Sequence, residues 1–428
     1  MKKKKRVDIT KDDIIDVSPG SIPKNSYSNG PELDIYEDEE EKINEYYVKL
    51  SYRFRIAKFV SLTLCIVFVL CMLTAFSEDI TAENFRYLMK DINFELPENV
   101  SEFGNISYTE DTEAVYAMFK NDLVCVGRNS IEVVDMSGDT VLKEDISYVK
   151  PRISAGKKYF LVYDLSGYSF SVYNSFSCIY SETLDYPISY AYVNDDGRAV
   201  VVTRSEDYRC CVLVYNKKYE LAYTWKTNDK YVFDVVLNND GSFVFLCAGV
   251  DDGLFSRIDI IGNIKNEEVT VSDPKYGVTA LDMNYFENGN RVVFCTDSAV
   301  FENGSGESLV NCSYGADTCV LTYSNGTHAL TVLDSVTLGR ENVLTVYTDK
   351  GQTLISSDVP THPKSAYIYG EYAYVLYTDS IIRIDINSGE IKRCKNERVI
   401  NTLLQTENGI LLAVGKTRAY PIDDSKFE

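Results

Sequence analysis

Residues suited to acid–base or metal chemistry are scarce in this 428-residue chain. It contains two histidines, His328 and His362, too few for a histidine-based metal site. Neither accompanies a G-x-S-x-G segment of the kind that presents a nucleophilic serine, and no glycine-rich nucleotide-binding loop occurs. Both lie in turn or loop sequence, so we interpret them as surface residues.

Paired carboxylates are more plentiful. Adjacent pairs include Asp195–Asp196, Asp251–Asp252 and Asp423–Asp424. A glycosidase places two carboxylates across a sugar from different strands, whereas these pairs lie in turn sequence, where Asp side chains bond their own backbone. A calcium site in the "VDDG" segment from Val250 is an alternative, although a complete EF-hand loop is missing. We therefore predict no catalytic, cofactor-binding or metal-binding residue, and no cofactor.

The charge of the chain is uneven. The net charge is −21, yet residues 1–58 hold 12 basic and 12 acidic residues, so the excess belongs to the remainder. An acidic domain without a basic stripe repels a phosphate backbone, which excludes nucleic acid as a partner. The charge suits a basic or cationic partner, or solubility alone.

A membrane segment is the clearest single feature. Residues 59–77 read "FVSLTLCIVFVLCMLTAFS" without a charge, and this length spans roughly 28 Å as a helix. Basic residues precede it and acidic residues follow it: Lys49, Arg53, Arg55 and Lys58, then Glu78 and Asp79. The positive-inside rule predicts a cytoplasmic N-terminus and an extracellular C-terminal domain. A cleaved signal peptide is the alternative, but the preceding tail is too long for one.

Four segments follow from this. We predict a disordered cytoplasmic tail (1–42), a juxtamembrane and transmembrane helix (43–78), an amphipathic linker helix (79–92) and a β-domain (93–424). The tail is rich in Lys, Glu, Pro and Gly and poor in apolar residues, so it cannot bury enough surface to order itself.

The cysteines indicate thiols more than a disulfide framework. Two of the eleven, Cys65 and Cys71, lie in the apolar helix, and the other nine fall mostly in strand-like runs. No CxxC pair occurs. Most should be buried thiols, with two possible disulfides left open, Cys312–Cys319 and Cys210–Cys211.

The β-domain is built from repeats. One unit reads "DLVCVGRNSIEVVDMSGDTVLKE" (122–144) and another "EYAYVLYTDSIIRIDINSGEIKR" (371–393). Such units start near residues 113, 149, 188, 231, 278, 318, 365 and 399, the period of a four-stranded propeller blade. The last unit has room for only three strands, so residues 100–110 should supply the outer strand that closes the ring. We predict an all-β propeller of eight blades, with seven as the alternative.

The rhythm of strand, Asp, turn, Gly and strand in these units resembles quinoprotein-type and WD-like β-propeller repeats over about residues 93–422. The layout is also similar to single-pass, membrane-anchored propeller proteins of Gram-positive anaerobes, a family defined by a domain of unknown function. Trp225 is the only tryptophan, so the docking tryptophans of the quinone-dependent enzymes are missing, and the resemblance implies a fold and an anchor without an activity.

Two functions lead, and a structural cell-envelope component without a ligand is a third possibility. The first is a membrane-anchored, extracytoplasmic module that binds or scaffolds an envelope protein or glycan partner, without catalysis. The alternative is an extracytoplasmic hydrolase of glycans or peptides with an Asp/Glu site in the propeller channel. Acidic side chains clustered at the channel would favour the hydrolase, and aromatic or neutral ones would favour binding.

Overall fold

The computed structural model describes residues 37–75 and 103–428, except 252, 253, 267, 305, 338 and 397; the side chains of residues 37–46, 72–75 and 251 fall outside this description. The chain divides into two units, Met1–Glu95 and Leu96–Glu428. The first unit contains helix α1, Glu37–Ala75, which begins inside the acidic run that the sequence assigns to the tail. The rest of the tail and the linker helix predicted for 79–92 lie outside the described residues.

Helix α1 has the length and composition of a membrane span. Among the described residues it is the one helix that qualifies, through Tyr47–Cys71, with a mean hydropathy of 2.1 and none of it buried. A helix whose described apolar side chains are exposed on every face is in a state that lipid accommodates and water does not. This agrees with a single-pass membrane anchor.

The second unit is an all-β propeller of eight four-stranded blades, I to VIII, each strand pairing antiparallel with the next. The strands of blades I to IV are β2 Val115–Phe119, β3 Asp122–Val126, β4 Ser130–Val134 and β5 Thr140–Asp145; β6 Pro151–Ala155, β7 Phe160–Asp164, β8 Ser169–Tyr173 and β9 Cys178–Thr183; β10 Tyr190–Val193, β11 Ala199–Thr203, β12 Cys210–Tyr215 and β13 Leu221–Thr227; β14 Lys230–Leu237, β15 Ser242–Asp251, β16 Leu254–Asn263 and β17 Thr270–Val271, with β18 Lys275–Tyr276 also on β16.

The strands of blades V to VIII are β19 Ala280–Tyr285, β20 Arg291–Cys295, β21 Ser298–Glu302 and β22 Ser308–Ser313; β23 Thr318–Ser324, β24 His328–Asp334, β25 Asn342–Thr348 and β26 Thr353–Val359; β27 Ser365–Tyr369, β28 Tyr372–Leu376, β29 Ser380–Asp385 and β30 Ile391–Lys395; β31 Thr402–Gln405, β32 Leu411–Val414, β33 Arg418–Pro421 and, from the N-terminal side, β1 Ile106–Ser107. A 3₁₀ turn, Asp424–Lys426, follows β33.

The predicted ring closure is confirmed. Strand β1 completes blade VIII by pairing with β33, Ile106 opposite Ala419 and Ser107 opposite Arg418. Ile106 is fully buried. The closing strand covers the edge of β33, which would otherwise be open to pair with another molecule. The count of eight blades is correct, and seven is wrong.

The core lies between the blades. The middle strands of each blade are buried on both faces, because each blade packs on a neighbour at either side. Aromatic rings fill several of these layers; the Phe243 and Phe245 rings, for example, stack at a centroid distance of 4.3 Å. Each buried aromatic side chain contributes large apolar area to the packing between blades.

Because consecutive strands alternate in direction, the propeller has two chemically distinct faces. One face carries two connections of each blade, from the first to the second strand and from the third to the fourth. We call it the turn face. The opposite face, which carries the second-to-third connections and the links between blades, is the loop face. The chain enters at the turn face, where the Gly104 amide donates to the Met136 carbonyl in the β4–β5 turn (3.0 Å).

Candidate binding face

Exposed apolar side chains are distributed unequally between the two faces. Twenty large hydrophobic residues of the described propeller are exposed, of which seven lie on outermost strands. The other thirteen all lie on the loop face: Val149, Tyr168, Tyr208, Tyr231, Phe233, Val250, Leu254, Phe255, Tyr276, Leu281, Val320, Val336 and Val399. The turn face is made of polar turns such as "NDDG" and "ENGN". Contiguous exposed apolar surface in a soluble domain marks an interaction site.

Three equivalent bulges create the centre of this apolar surface. In blades IV, V and VI the innermost strand carries one residue more than its partner, namely Phe233, Leu281 and Val320. A bulge re-aims a side chain away from the regular pleat. All three residues are 43–48% exposed and lie near the loop-face end of their strands. They therefore line one side of that end of the channel, on three consecutive blades.

A long hairpin in blade IV extends the same surface. Strands β15 and β16 have ten residues each, whereas the second and third strands of the other blades have four to seven. Near its tip, Val250 pairs with Phe255, and β18 places Tyr276 opposite Ser256. Val250, Leu254 and Phe255 are each more than half exposed. The hairpin therefore carries apolar side chains beyond the level of its neighbours. We call Phe233, Leu281 and Val320, together with Val250, Leu254, Phe255 and Tyr276, the loop-face patch.

A buried ionic network holds the base of the hairpin to blade V. Arg257 on β16 makes two hydrogen bonds to Asp259 (3.0 and 2.8 Å) and one to Glu302 on β21 (2.9 Å). Arg291 on β20 binds Glu302 at 2.7 Å and Asp259 at 2.6 Å. All four side chains are at most 5% exposed, and Lys275 closes the network on Glu302 at 2.8 Å. Burial opposes ionisation of Glu302, but the two guanidinium groups and Lys275 lower its pKa to about 2.

An acidic rim surrounds the loop-face patch. Carboxylates lie at the loop-face end of blades IV to VI: Asp273, Asp297, Asp334 and Glu341 are exposed, and Asp317 is half-buried. None forms an ion pair among the described residues, whereas the nearby Lys230 and Lys275 are paired with Asp229 and Glu302. The rim is therefore negative, and its charge is not neutralised by the protein itself.

A groove adjoins the patch on the side of blade III. It has a volume of about 740 Å³ and is lined by Pro187, Ile188, Tyr231 and Phe233 among others. The groove adds apolar concave surface to the face, and concave apolar surface with a few polar groups is typical of binding sites.

The wall of the channel is mostly neutral. The eight innermost strands hold four charged residues, Arg152, Lys230, Asp234 and Asp282. Among the inner-strand residues are eight tyrosines: Tyr116, Tyr190, Tyr192, Tyr231, Tyr285, Tyr323, Tyr367 and Tyr369. Aromatic and neutral residues therefore predominate, the arrangement that favours binding over the hydrolase alternative.

The two acidic residues of the inner strands meet as a pair. Asp234 and Asp282 follow the bulges of blades IV and V, and their carboxyl groups hydrogen-bond to each other. The Met283 amide donates to both, at 3.0 Å and 2.9 Å. Burial, and then the charge of Asp282, raise the pKa of Asp234. Burial also raises the pKa of Asp282. The pair therefore shares a proton near neutral pH, because two adjacent carboxylates cannot both ionise cheaply.

This pair does not have the geometry of a glycosidase. Glycosidase carboxyl groups stand about 5–9.5 Å apart with the sugar between them, whereas Asp234 and Asp282 contact each other directly. Asp234 is 8% exposed, and its second oxygen accepts the Val235 amide at 2.8 Å. Two carboxyl groups that hydrogen-bond to each other cannot lie on opposite sides of a substrate. A cavity of about 400 Å³ lies beside the pair, lined in part by Tyr190, Tyr192 and Asn284.

The residues weighed in the sequence are scattered. His328 begins β24, where its Nδ1 lies 2.8 Å from the Thr327 hydroxyl and burial lowers its pKa; His362 lies in the β26–β27 connection in the left-handed region (φ 63°). Asp196 pairs with Arg198 at 3.1 Å, and Asp424 with Arg383 at 2.7 Å. Asp252 lies outside the described residues. Within the part of the chain that is described, no three His, Cys, Asp or Glu side chains are grouped to hold a metal ion.

The structure forms no disulfide among the described cysteines. Six of the eleven are buried. Cys210 and Cys211 are successive residues of β12, whose side chains point to opposite faces of the strand. Burial raises the pKa of both Cys312 and Cys319, which lowers their reactivity as thiolates.

Comparison with known proteins places the chain in a family. A model of a family of unknown function, DUF5711, matches residues 98–418. The chain belongs to this family. The match covers nearly all of the propeller and excludes helix α1. No curated protein sequence matches the chain.

Solved structures agree on the fold. BamB from Moraxella catarrhalis aligns with a TM-score of 0.51 at 9% identity, over 74% of this chain and 98% of that one. Sqt1 from Saccharomyces cerevisiae aligns with a TM-score of 0.52 at 8% identity, over 75% and 100%. A eukaryotic initiation factor aligns with a TM-score of 0.50 at 10% identity, over 79% of this chain and 91% of that one. At these identities the likeness shows the propeller fold alone.

Proposed function

We propose that this protein is a membrane-anchored binding module whose propeller lies outside the cytoplasm. Its loop-face patch binds an apolar segment, flanked by basic residues, of a partner protein in the cell envelope. The observation that carries the proposal is that the large exposed apolar side chains lie on the loop face and the outermost strands, and none lies in the described part of the turn-face connections.

Three features of the face support a protein partner of this chemistry. Bulges and a long hairpin, both deviations from the regular blade, bring the apolar residues to one place. The acidic rim complements basic residues and would speed encounter with them. The described chain enters the propeller at the turn face, which is the face opposite the loop-face patch.

The charges beside the helix support this orientation. Lys49, Arg53, Arg55 and Lys58 lie at its N-terminal side, the composition of a cytoplasmic flank. We infer an origin among the Gram-positive anaerobes, whose membrane-anchored propellers the repeats resemble; buried free thiols suit such a reducing habitat.

A hydrolase active in the channel is the weaker alternative. It would have to use Asp234 and Asp282, the only acidic residues of the innermost strands. Their direct contact is unlike the separated carboxyl groups that cleave glycosidic bonds. We therefore give the binding function precedence.

Site-specific photo-crosslinking tests the proposed face. A photoreactive amino acid replaces Phe255 on the loop face or, as the matched control, Lys350 on the turn face, in native membranes. We expect a discrete heterologous adduct from position 255 that Phe233→Asp abolishes, and none from position 350. Mass spectrometry should place the crosslink in a basic, apolar segment of the partner. Adducts from position 350 alone, adducts unaffected by Phe233→Asp, or adducts only with a second copy of this chain would each contradict the proposal.

Thiol labelling of intact cells tests the orientation separately. Single cysteines are placed in a cysteine-free background, one in the tail at Ser18 and one at Asn325 on the turn face. We expect an impermeant reagent to label position 325 only. Labelling of position 18 alone would reverse the orientation and place the binding face in the cytoplasm.

A further inference from the structure

A basic cleft between blades VII and VIII stands apart from the loop-face patch. It consists of two adjoining cavities of about 350 Å³ and 200 Å³, which share Arg398 and Tyr420. Lys395 and Lys426 line the larger cavity. Lys416 and Arg418 line the smaller one. The described lining residues include no carboxylate.

The cations of this cleft are available to a ligand. Lys395, Arg398 and Arg418 form no ion pair among the described residues, and Lys416 reaches Glu110 only at 4.0 Å. Five basic side chains are thus concentrated in one cleft of a protein whose net charge is −21. They come from the end of β30, the blade VII–VIII connection, the β32–β33 connection, the start of β33 and the C-terminal turn, so the packing of blade VIII on blade VII brings them together.

The other residues that line the cleft indicate which chemical groups the ligand carries beside its anionic groups. Ile400, Ile422 and the ring of Tyr420 provide an apolar wall. The Asn396 side chain donates to the Tyr377 carbonyl at 3.2 Å, while its buried Oδ1 has no hydrogen-bond partner. An unpaired buried acceptor is costly unless a donor reaches it. A hydroxyl beside the anion would supply that donor.

From these observations we propose that the cleft binds a polyol phosphate carrying two or more phosphate groups. Arginine guanidinium groups match phosphate oxygens in pairs. The two adjoining cavities provide two phosphate positions, with Arg398 between them. The hydroxyl-bearing carbon chain lies against Tyr420 and donates to Asn396.

An acidic peptide fits the same cleft less well. An extended peptide usually gains affinity by adding to an exposed strand edge. The nearby edge of β30 is already occupied, because Arg393 and the C-terminal residue Glu428 exchange backbone hydrogen bonds (2.9 and 3.2 Å). The Asn396 amide is likewise bonded to the Asp379 carbonyl (2.8 Å). A peptide would find cations but no backbone to pair with.

Calorimetric titration of the full-length protein in a neutral detergent tests the proposal. The probes are fructose 1,6-bisphosphate, inorganic phosphate and a hexa-aspartate peptide, at low salt. We expect the bisphosphate to bind at least tenfold more tightly than phosphate or the peptide. Arg398→Gln or Arg418→Gln should weaken it about tenfold each, the value of a hydrogen bond to a charged group.

The matched control is Lys350→Gln, which removes an exposed cation from the turn face and should leave the affinity unchanged. Thermal unfolding should show that all three variants fold, since each changed residue is exposed. The proposal is overturned if the bisphosphate does not bind, if Lys350→Gln weakens it as much as Arg398→Gln, or if the aspartate peptide binds as tightly as the bisphosphate.

Discussion

Replacing Glu302 with Gln should be among the most destabilising single changes in the propeller. Glu302 is completely buried and accepts hydrogen bonds from Arg257, Arg291 and Lys275. The substitution keeps the shape but removes the charge, and so leaves two buried guanidinium groups to share Asp259. Because Arg257 lies on the β15–β16 hairpin, the change also weakens the attachment of the loop-face patch.

Two estimates of the cost agree. Removing one partner of a buried ion pair costs about 3–5 kcal/mol, because the other charge stays buried without compensation. The pKa of Glu302, about 2 in the folded protein against an ordinary 4.5, corresponds to about 3 kcal/mol of folding free energy. A lowered pKa stabilises the folded state above pH 4.5. That contribution is lost as pH falls from about 4.5 to about 2.

Urea unfolding of the full-length protein measures this effect, with Glu307→Gln as the control. Glu307 is an exposed residue of the same blade and should change the free energy of unfolding by less than about 0.5 kcal/mol. We expect Glu302→Gln to cost about 3 kcal/mol at pH 7 and its difference from wild type to shrink below pH 4.5. A cost equal to that of Glu307→Gln, or a difference that grows in acid, would refute the reasoning.

Three further perturbations test other parts of the structure. Asp234→Asn mimics the protonated form of Asp234, which contact with Asp282 favours. The free energy of unfolding of this variant should therefore rise relative to that of the wild type as pH increases from 4 to 8. A constant or falling difference contradicts the shared proton. Gly351→Ala should lower the melting temperature more than Gly277→Ala: both positions have positive φ, but a Cβ at 351 would stand 2.7 Å from an aromatic ring and one at 277 meets nothing. Ile106→Ala should cost about 2–5 kcal/mol in urea unfolding, because Ile106 anchors the closing strand; a cost below 1 kcal/mol would mean that the ring does not depend on it.

The blade pattern was accessible from sequence because turns mark it. Asn, Asp and Gly between short apolar runs signal tight turns, and eight such units placed the starts of β2, β6, β10, β14, β19, β23, β27 and β31 to within three residues. The three-strand last unit predicted closure by β1 for the same reason. The spacing of the unit starts did not show that β15 and β16 are extended, because the sixth unit, from 318 to 365, is as long as the fourth, from 231 to 278.

The candidate site was not accessible in the same way. The bulged residues Phe233 and Leu281 each follow an apolar residue and precede an Asp, and this pattern gives no sign of an inserted residue. The ionic network joins Arg257 to Glu302 across two blades, 45 positions apart. Only the packing of one blade on the next decides such contacts. The basic cleft likewise depends on how blade VIII packs on blade VII, and its five cations are spaced too irregularly along the sequence to form a basic stripe.

Hydrogen exchange with mass spectrometry is the most direct test of the central claim that the loop face of blades IV to VI binds a partner. The full-length protein is compared in native membranes and after purification in detergent. We predict slower exchange in membranes for the loop-face segments 254–256, 273–282, 317–321 and 335–341, and equal exchange for the turn-face segments 287–290 and 324–327. Equal exchange everywhere, or protection confined to the turn face, would contradict the account.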